Sequence, residues 1–217
     1  MVRNGLVAGA MLTSSANNAN SASSASFPIL VRMTSAGNDQ KKANAPVKRI
    51  VLTGFMGSGK STVGPLVAAR LEWRFVDADN VIEAEAGLRI AEIFARHGEA
   101  AFRDMEHATI ARLVSGDGLV LALGGGAIER VETRELLLNG EGTLLVHLEV
   151  KLETTLARCG GTELDRPVLA DRTHLENRYA RRLPLYRLAH VSITTDLLTP
   201  DEVADDVMKV VGLESSD

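Results

Sequence analysis

The sequence predicts an α/β fold: three layers, α/β/α, around a five-stranded parallel sheet. Three observations predict it. From residue 47 onward, five strand-like runs alternate with helix-compatible stretches, and such alternation implies a parallel sheet with helices on both faces. The first run leads through a Gly-rich loop directly into a helical stretch. Apolar residues make up 45% of the 217-residue chain, enough for a core of that size.

Taken in order, the first strand is 49–53 (RIVLT), followed by Gly54-Phe-Met-Gly-Ser-Gly-Lys60-Ser61 and a helix over 60–71. The loop fits G-x-x-x-x-G-K-[ST] in the setting that pattern requires, after a strand and before a helix. Its glycines let backbone N–H groups close around phosphate oxygens, and the helix N-terminus faces the same anion. Lys60 is expected on the β- and γ-phosphates and the Ser61 hydroxyl on Mg²⁺. The chain therefore reads as a binder of a nucleoside triphosphate, with a sheet of the P-loop NTPase type.

The second strand, 74–77, ends in "FVDAD". On a strand, Asp77 and Asp79 would share one side. There they could hold a magnesium's water shell and orient an acceptor hydroxyl, the two tasks of a kinase. An N-cap role for Asp79 is the alternative. Helices follow at 79–86, 90–97 and 99–115, the last with a stripe of Phe102, Met105, Ile110 and Leu113. Arg103 and Glu106 lie three apart on one face of it, an arrangement that is often only a surface ion pair.

The third strand, 118–123, is followed by Gly124, Gly125 and Gly126, a triplet that would let a ligand lie against bare backbone. After a helix at 131–139, a strand at 143–148 and a helix at 150–158 comes "RCGGTELDRPVLADR". A polar loop of this length is usually a lid or disordered. Arg166, stiffened by Pro167, could neutralise a transferring phosphoryl group. A helix at 171–187 carries Arg181 and Arg182 before a proline-marked turn, and a strand at 191–195 and a helix at 200–211 complete the fold.

The formal net charge of −4 argues against a general nucleic-acid or membrane-surface binder. No run of 18 apolar residues occurs. The one cysteine, Cys159, cannot form an internal disulfide, so a reducing cytoplasm is expected. Residues 1–46, crowded with Ser, Asn and Ala, are expected to form a disordered extension, dispensable at least over 1–32, with Met33 as an alternative start. The alternative for that segment is a transit peptide and a plastid location, against which stand its few arginines.

In order, GFMGSGKST, FVDAD, FRDME, GGGA, DRPVL and RRLPLY resemble the shikimate kinase family over residues 47–212. The resemblance implies a small α/β kinase with a lid and substrate-binding helices. Such enzymes use MgATP to phosphorylate the 3-hydroxyl of shikimate, on the route to chorismate and the aromatic amino acids. It implies nucleotide contacts from Gly57, Ser58, Gly59, Lys60, Ser61, Thr62 and Arg166, with Arg158 and Pro200 around the adenine. Asp77 would act on magnesium through water, and Asp79 would activate the acceptor hydroxyl. Arg103 and Arg182 would grip the shikimate carboxylate, with Glu106 holding Arg103. Gly125 and Gly126 would lie against the ring, and Phe94 and Phe102 would wall the pocket. Departures from the family pattern are Val168 in RPVL, Ala122 before the glycines, a slightly longer lid, and Leu197-Leu198 in place of a basic pair near the adenine. A monomer is expected. The rival readings are a kinase of the same fold acting on gluconate or a nucleoside monophosphate, and a non-catalytic nucleotide-dependent regulator.

Overall fold

Apolar side chains on both faces fix the centre of the sheet: β1 (Arg49–Thr53) and β3 (Leu119–Ala122) are buried along their whole length. The structure, a computed structural model, describes residues 46–159 and 172–212. β1, β2 (Arg74–Asp77), β3, β4 (Thr143–Glu149) and β5 (Val191–Thr194) form one sheet in the order β2-β3-β1-β4-β5. Every neighbouring pair is parallel. The sequence-predicted strands are all present, their ends moved by no more than one residue.

Alternation along each strand sorts the core into two layers. Val51, Leu121 and Leu145 meet α3 (Ile90–Leu113), α4 (Val131–Asn139) and α6 (Arg172–Tyr186) through Ile110, Leu137, Leu175 and Tyr186. Ile50, Leu52, Val120 and Val146 face the other way. They meet α1 (Lys60–Leu71) and α7 (Pro200–Val211) through Val63, Val67, Val203 and Val207. A third, small cluster of Ile82, Ile93 and Phe102 joins α2 (Ala78–Ala86) to α3. α5 (Leu152–Cys159) follows β4. Because β3 and β4 flank β1 on opposite sides, the chain changes direction there, and the crevice beyond the carboxyl end of β1 is where such sheets bind ligands.

Two local expectations need correction, and a third holds in altered form. The stripe expected at Phe102, Met105, Ile110 and Leu113 holds except at Met105, which is 38% exposed, while Glu106 beside it is only 2% exposed. The inward slot on that turn is taken by a carboxylate because Arg103 supplies its partner at 2.7 Å. Pro184 marks no turn: α6 continues through it to Tyr186. The expected separation of 90–97 from 99–115 survives as a break inside α3, where Gly98 has φ 81 and ψ 170.

Candidate active site

The loop between β1 and α1 is built to meet an anion. Gly59 starts α1 from a left-handed conformation, φ 93, and no side chain caps the helix there, so no side chain competes with a ligand for the N–H groups that open the helix. The Lys60 ammonium folds over the loop, donating to the carbonyls of Gly54 (2.9 Å) and Phe55 (3.1 Å) and to Ser58 Oγ (3.3 Å). Ser58 is buried, and the Thr62 amide donates back to Gly59 O at 3.0 Å. Ser61 Oγ donates to Asp77 Oδ2 at 3.0 Å. The fold thus brings together the two residues expected to handle the metal.

The two aspartates do not share one side of a strand. Asp77 ends β2 and is itself the N-cap of α2, its Oδ1 accepting from the Asp79 amide at 3.1 Å. Asp79 lies in the first turn of that helix, so it is not the cap. The helix start turns Asp79 toward β3: a Cβ on Gly124 would lie 2.6 Å from Asp79 Oδ1 and 3.0 Å from Glu106 Oε1. Both of these oxygens are buried, and neither has a hydrogen-bond partner among the described residues. Burial, then the charges of Asp77 and Glu83, raise Asp79 to about 6 against the pull of Lys60 and Arg103. Burial also raises Glu106, although Arg103 opposes it. Two acceptor oxygens converging on one bare backbone position need a donor, and a carboxylate near 6 suits a general base at neutral pH.

The expected carboxylate grip is assembled from three elements. Arg103 on α3 pairs with Glu106 (2.7 Å) and Glu99 (3.3 Å). Burial alone would lower it, but the two glutamates outweigh that and raise it. Its guanidinium lies against Gly126, where a Cβ would collide with it. The triplet therefore admits neighbouring side chains as closely as it would admit a ligand. Arg182 on α6 is buried, with Nη1 3.5 Å from where a Cβ on Gly125 would stand. The Phe94 and Phe102 rings lie 4.7 Å apart between centroids, with the Arg103 guanidinium 5.2 Å from the Phe102 ring.

On the nucleotide side, Arg158 donates to Gly57 O (3.0 Å), Thr195 Oγ1 (3.3 Å) and Thr195 O (2.6 Å), which ties α5 to both the phosphate loop and the segment before α7. Pro200 opens α7 behind a Thr199–Glu202 capping box. Arg166, Pro167 and Val168 lie outside the described residues. Two residues of the site were missed in the sequence. Tyr186 donates to Gly125 O at 2.5 Å, and Glu129 pairs with Arg181 and Arg182. Tyr186 carried a weak signal, a polar-tipped aromatic one turn beyond Arg182, whereas Glu129 carried none.

The shikimate kinase family model matches residues 56–212. A shikimate kinase from Nitrobacter winogradskyi is 43% identical over 162 residues, 73% of this chain and 74% of that one. One from Sulfurihydrogenibium sp. is 38% identical over 164 residues, 75% and 96% of the two chains. The solved shikimate kinase from Acinetobacter baumannii in complex with shikimate superposes with a TM-score of 0.70 at 35% identity, covering 78% of this chain and 96% of that one.

Proposed function

The chain belongs to the shikimate kinase family and is an ATP-dependent kinase of shikimate, and from that premise we propose which residues carry transfer of the γ-phosphate to the 3-hydroxyl. Asp79 accepts the hydroxyl proton. The observation that carries this is the pair of partnerless buried oxygens, Asp79 Oδ1 and Glu106 Oε1, converging over Gly124. A substrate hydroxyl donating into that pair is oriented and polarised together, and the charges of Lys60 and Arg103 favour the ionised form of Asp79.

Arg103 and Arg182 bind the substrate carboxylate, since planar guanidiniums offer paired donors that an ammonium lacks. Gly125 and Gly126 form the floor under the ring, and Phe94 and Phe102 its apolar wall. Lys60 moves its donors from the Gly54 and Phe55 carbonyls and Ser58 Oγ to the β- and γ-phosphates. Gly57, Ser58, Gly59 and Thr62 line the phosphate loop, Arg158 and Pro200 flank the base, and Arg166 keeps the role that the family resemblance implies for it. The Ser61–Asp77 contact fits a hard cation that takes one or two protein oxygens beside phosphates and waters. Mg²⁺ held there, with Asp77 acting through water, would neutralise charge on the β- and γ-phosphates. A monomer is proposed as the working unit, and the lone Cys159 supports a cytoplasmic location.

A coupled ADP-release assay with MgATP tests the reading. Turnover with shikimate and none with gluconate or a nucleoside monophosphate is expected; turnover with either of the latter would overturn the acceptor assignment.

A further inference from the structure

Three arginines, Arg178, Arg181 and Arg182, stand within little more than one turn of α6. Their mutual repulsion would drive these cations apart and toward solvent unless a counter-charge restrained one of them. The strain shows at Arg178: burial, then the charges of Arg182 and Arg181, lower it below the ordinary arginine value. Yet Arg182 is the cation held inside, its side chain only 10% exposed, while the Arg181 side chain is 68% exposed. What holds it is Glu129. One carboxylate oxygen accepts from Arg182 Nη2 at 3.0 Å, and the other accepts from Arg181 Nε at 2.9 Å.

Glu129 is fixed to the substrate floor itself. It closes the 3₁₀ turn Ala127–Glu129 directly after the glycine triplet, and its amide donates to Gly126 O at 2.9 Å. Arg134 on α4 clamps the same turn, donating to the carbonyls of Ile128 (2.9 Å) and Glu129 (3.4 Å). Burial would raise the Glu129 carboxyl, but Arg182 and Arg181 outweigh it and hold it below the ordinary glutamate value. It therefore stays charged across the neutral range.

We propose that Glu129 is the positioning residue for Arg182: a carboxylate anchored on the glycine turn that keeps the guanidinium inward, with its Nη1 edge toward the floor, before substrate arrives. The inference rests on the reading of Arg182 as a grip on the acceptor carboxylate. It pairs Arg182 with Glu129 as Arg103 is paired with Glu106, so each substrate-binding cation has its own resident anion. The Arg181 contact is exposed and contributes little; its value is to leave the second Glu129 oxygen no other partner to chase.

The test is a mutant cycle read by steady-state kinetics on the full chain. Glu129→Gln keeps the size and one acceptor but removes the charge. It should raise the shikimate KM about tenfold, the middle of the range for coupled neighbours, while the ATP KM, kcat and Tm hardly move. In an Arg182→Ala background, Glu129→Gln should add nothing; in an Arg181→Ala background it should keep its full effect. An unchanged shikimate KM in Glu129→Gln overturns the proposal, as does a lowered one, which would mean that Glu129 competes with the substrate carboxylate. Equal rises in both KM values with a fall in Tm would make the role structural and overturn it too. If Arg182→Ala itself leaves the shikimate KM unchanged, the Arg182 assignment falls first and the positioning role with it. If Arg182→Ala raises KM and Glu129→Gln does not, only the positioning role falls.

Discussion

Replacing Asp79 with asparagine should make the substrate-free protein more stable and the enzyme far slower. Burial and neighbouring carboxylates raise Asp79 from 3.8 to about 6, so the fold favours its protonated form. The sign follows: the advantage of the protonated carboxyl is fully present below the unfolded value of 3.8 and is lost as pH rises through about 6. At pH 8 the ionised carboxylate therefore costs the fold about 2–3 kcal/mol, from a shift of about two units at 1.36 kcal/mol each. Asparagine is neutral throughout and escapes that cost. For a domain of this size the gain corresponds to a rise in Tm of about 5–10 °C at pH 8, shrinking toward zero by pH 4. Turnover should fall by roughly 10²–10⁴, because the amide cannot accept the hydroxyl proton. Thermal unfolding at pH 4, 6 and 8, together with coupled ADP release and calorimetry of MgATP binding, reads all three quantities. A Tm gain that does not depend on pH, or no gain at pH 8, would refute the burial account of Asp79. Near-normal turnover would refute its role as base.

Arg103→Lys should raise the shikimate KM by about 30-fold or more, equivalent to about 2–4 kcal/mol, because an ammonium cannot hold Glu106 and Glu99 while also presenting paired donors; a matching rise in the ATP KM would contradict the assignment. Lys60→Ala should weaken MgATP binding in calorimetry, whereas Asp77→Asn should mainly raise the magnesium concentration needed for half-maximal rate, and the same response from both variants would show that the two residues do not divide these tasks. Deleting residues 1–32, within the Ser-, Asn- and Ala-rich segment, should leave kcat, both KM values and Tm unchanged; a Tm loss of more than a few degrees would overturn the expectation that this segment is dispensable.

What could be read in the sequence was what is local in it. Lys60 and Ser61 belong to one contiguous loop-to-helix motif, and the apolar run before Gly124 announces its own strand, so neither needed tertiary knowledge. The errors occur where a distant partner overrides a local rule. Met105 fits an apolar period and still faces out, because the inward position suits Glu106 once Arg103 balances its charge. Asp77 and Asp79 look like neighbours on a strand, but the helix begins between them and gives the cap to the first. Glu129 meets Arg182 from 53 residues away, and Tyr186 meets Gly125 from 61; no periodicity reports contacts of that span.

The charge layout also argues for the acceptor's shape. At one end of the floor, Asp79 and Glu106 present oxygens that lack donors, and at the other Arg182 Nε is buried without an acceptor among the described residues. Each is costly alone, since a buried polar group without a partner forfeits its hydration. A neutral polyol could supply donors to the carboxylates but only uncharged acceptors to the arginines, and a simple anion could pair with the arginines but offer the carboxylates no donor. A ring carrying hydroxyls at one edge and a carboxylate at the other satisfies both ends at once. Selectivity of this kind comes from what a wrong ligand leaves unpaired, more than from what the right one adds. The instability predicted at Asp79 and the restraint assigned to Glu129 are two sides of that arrangement: charges held ready, each for one part of the same molecule.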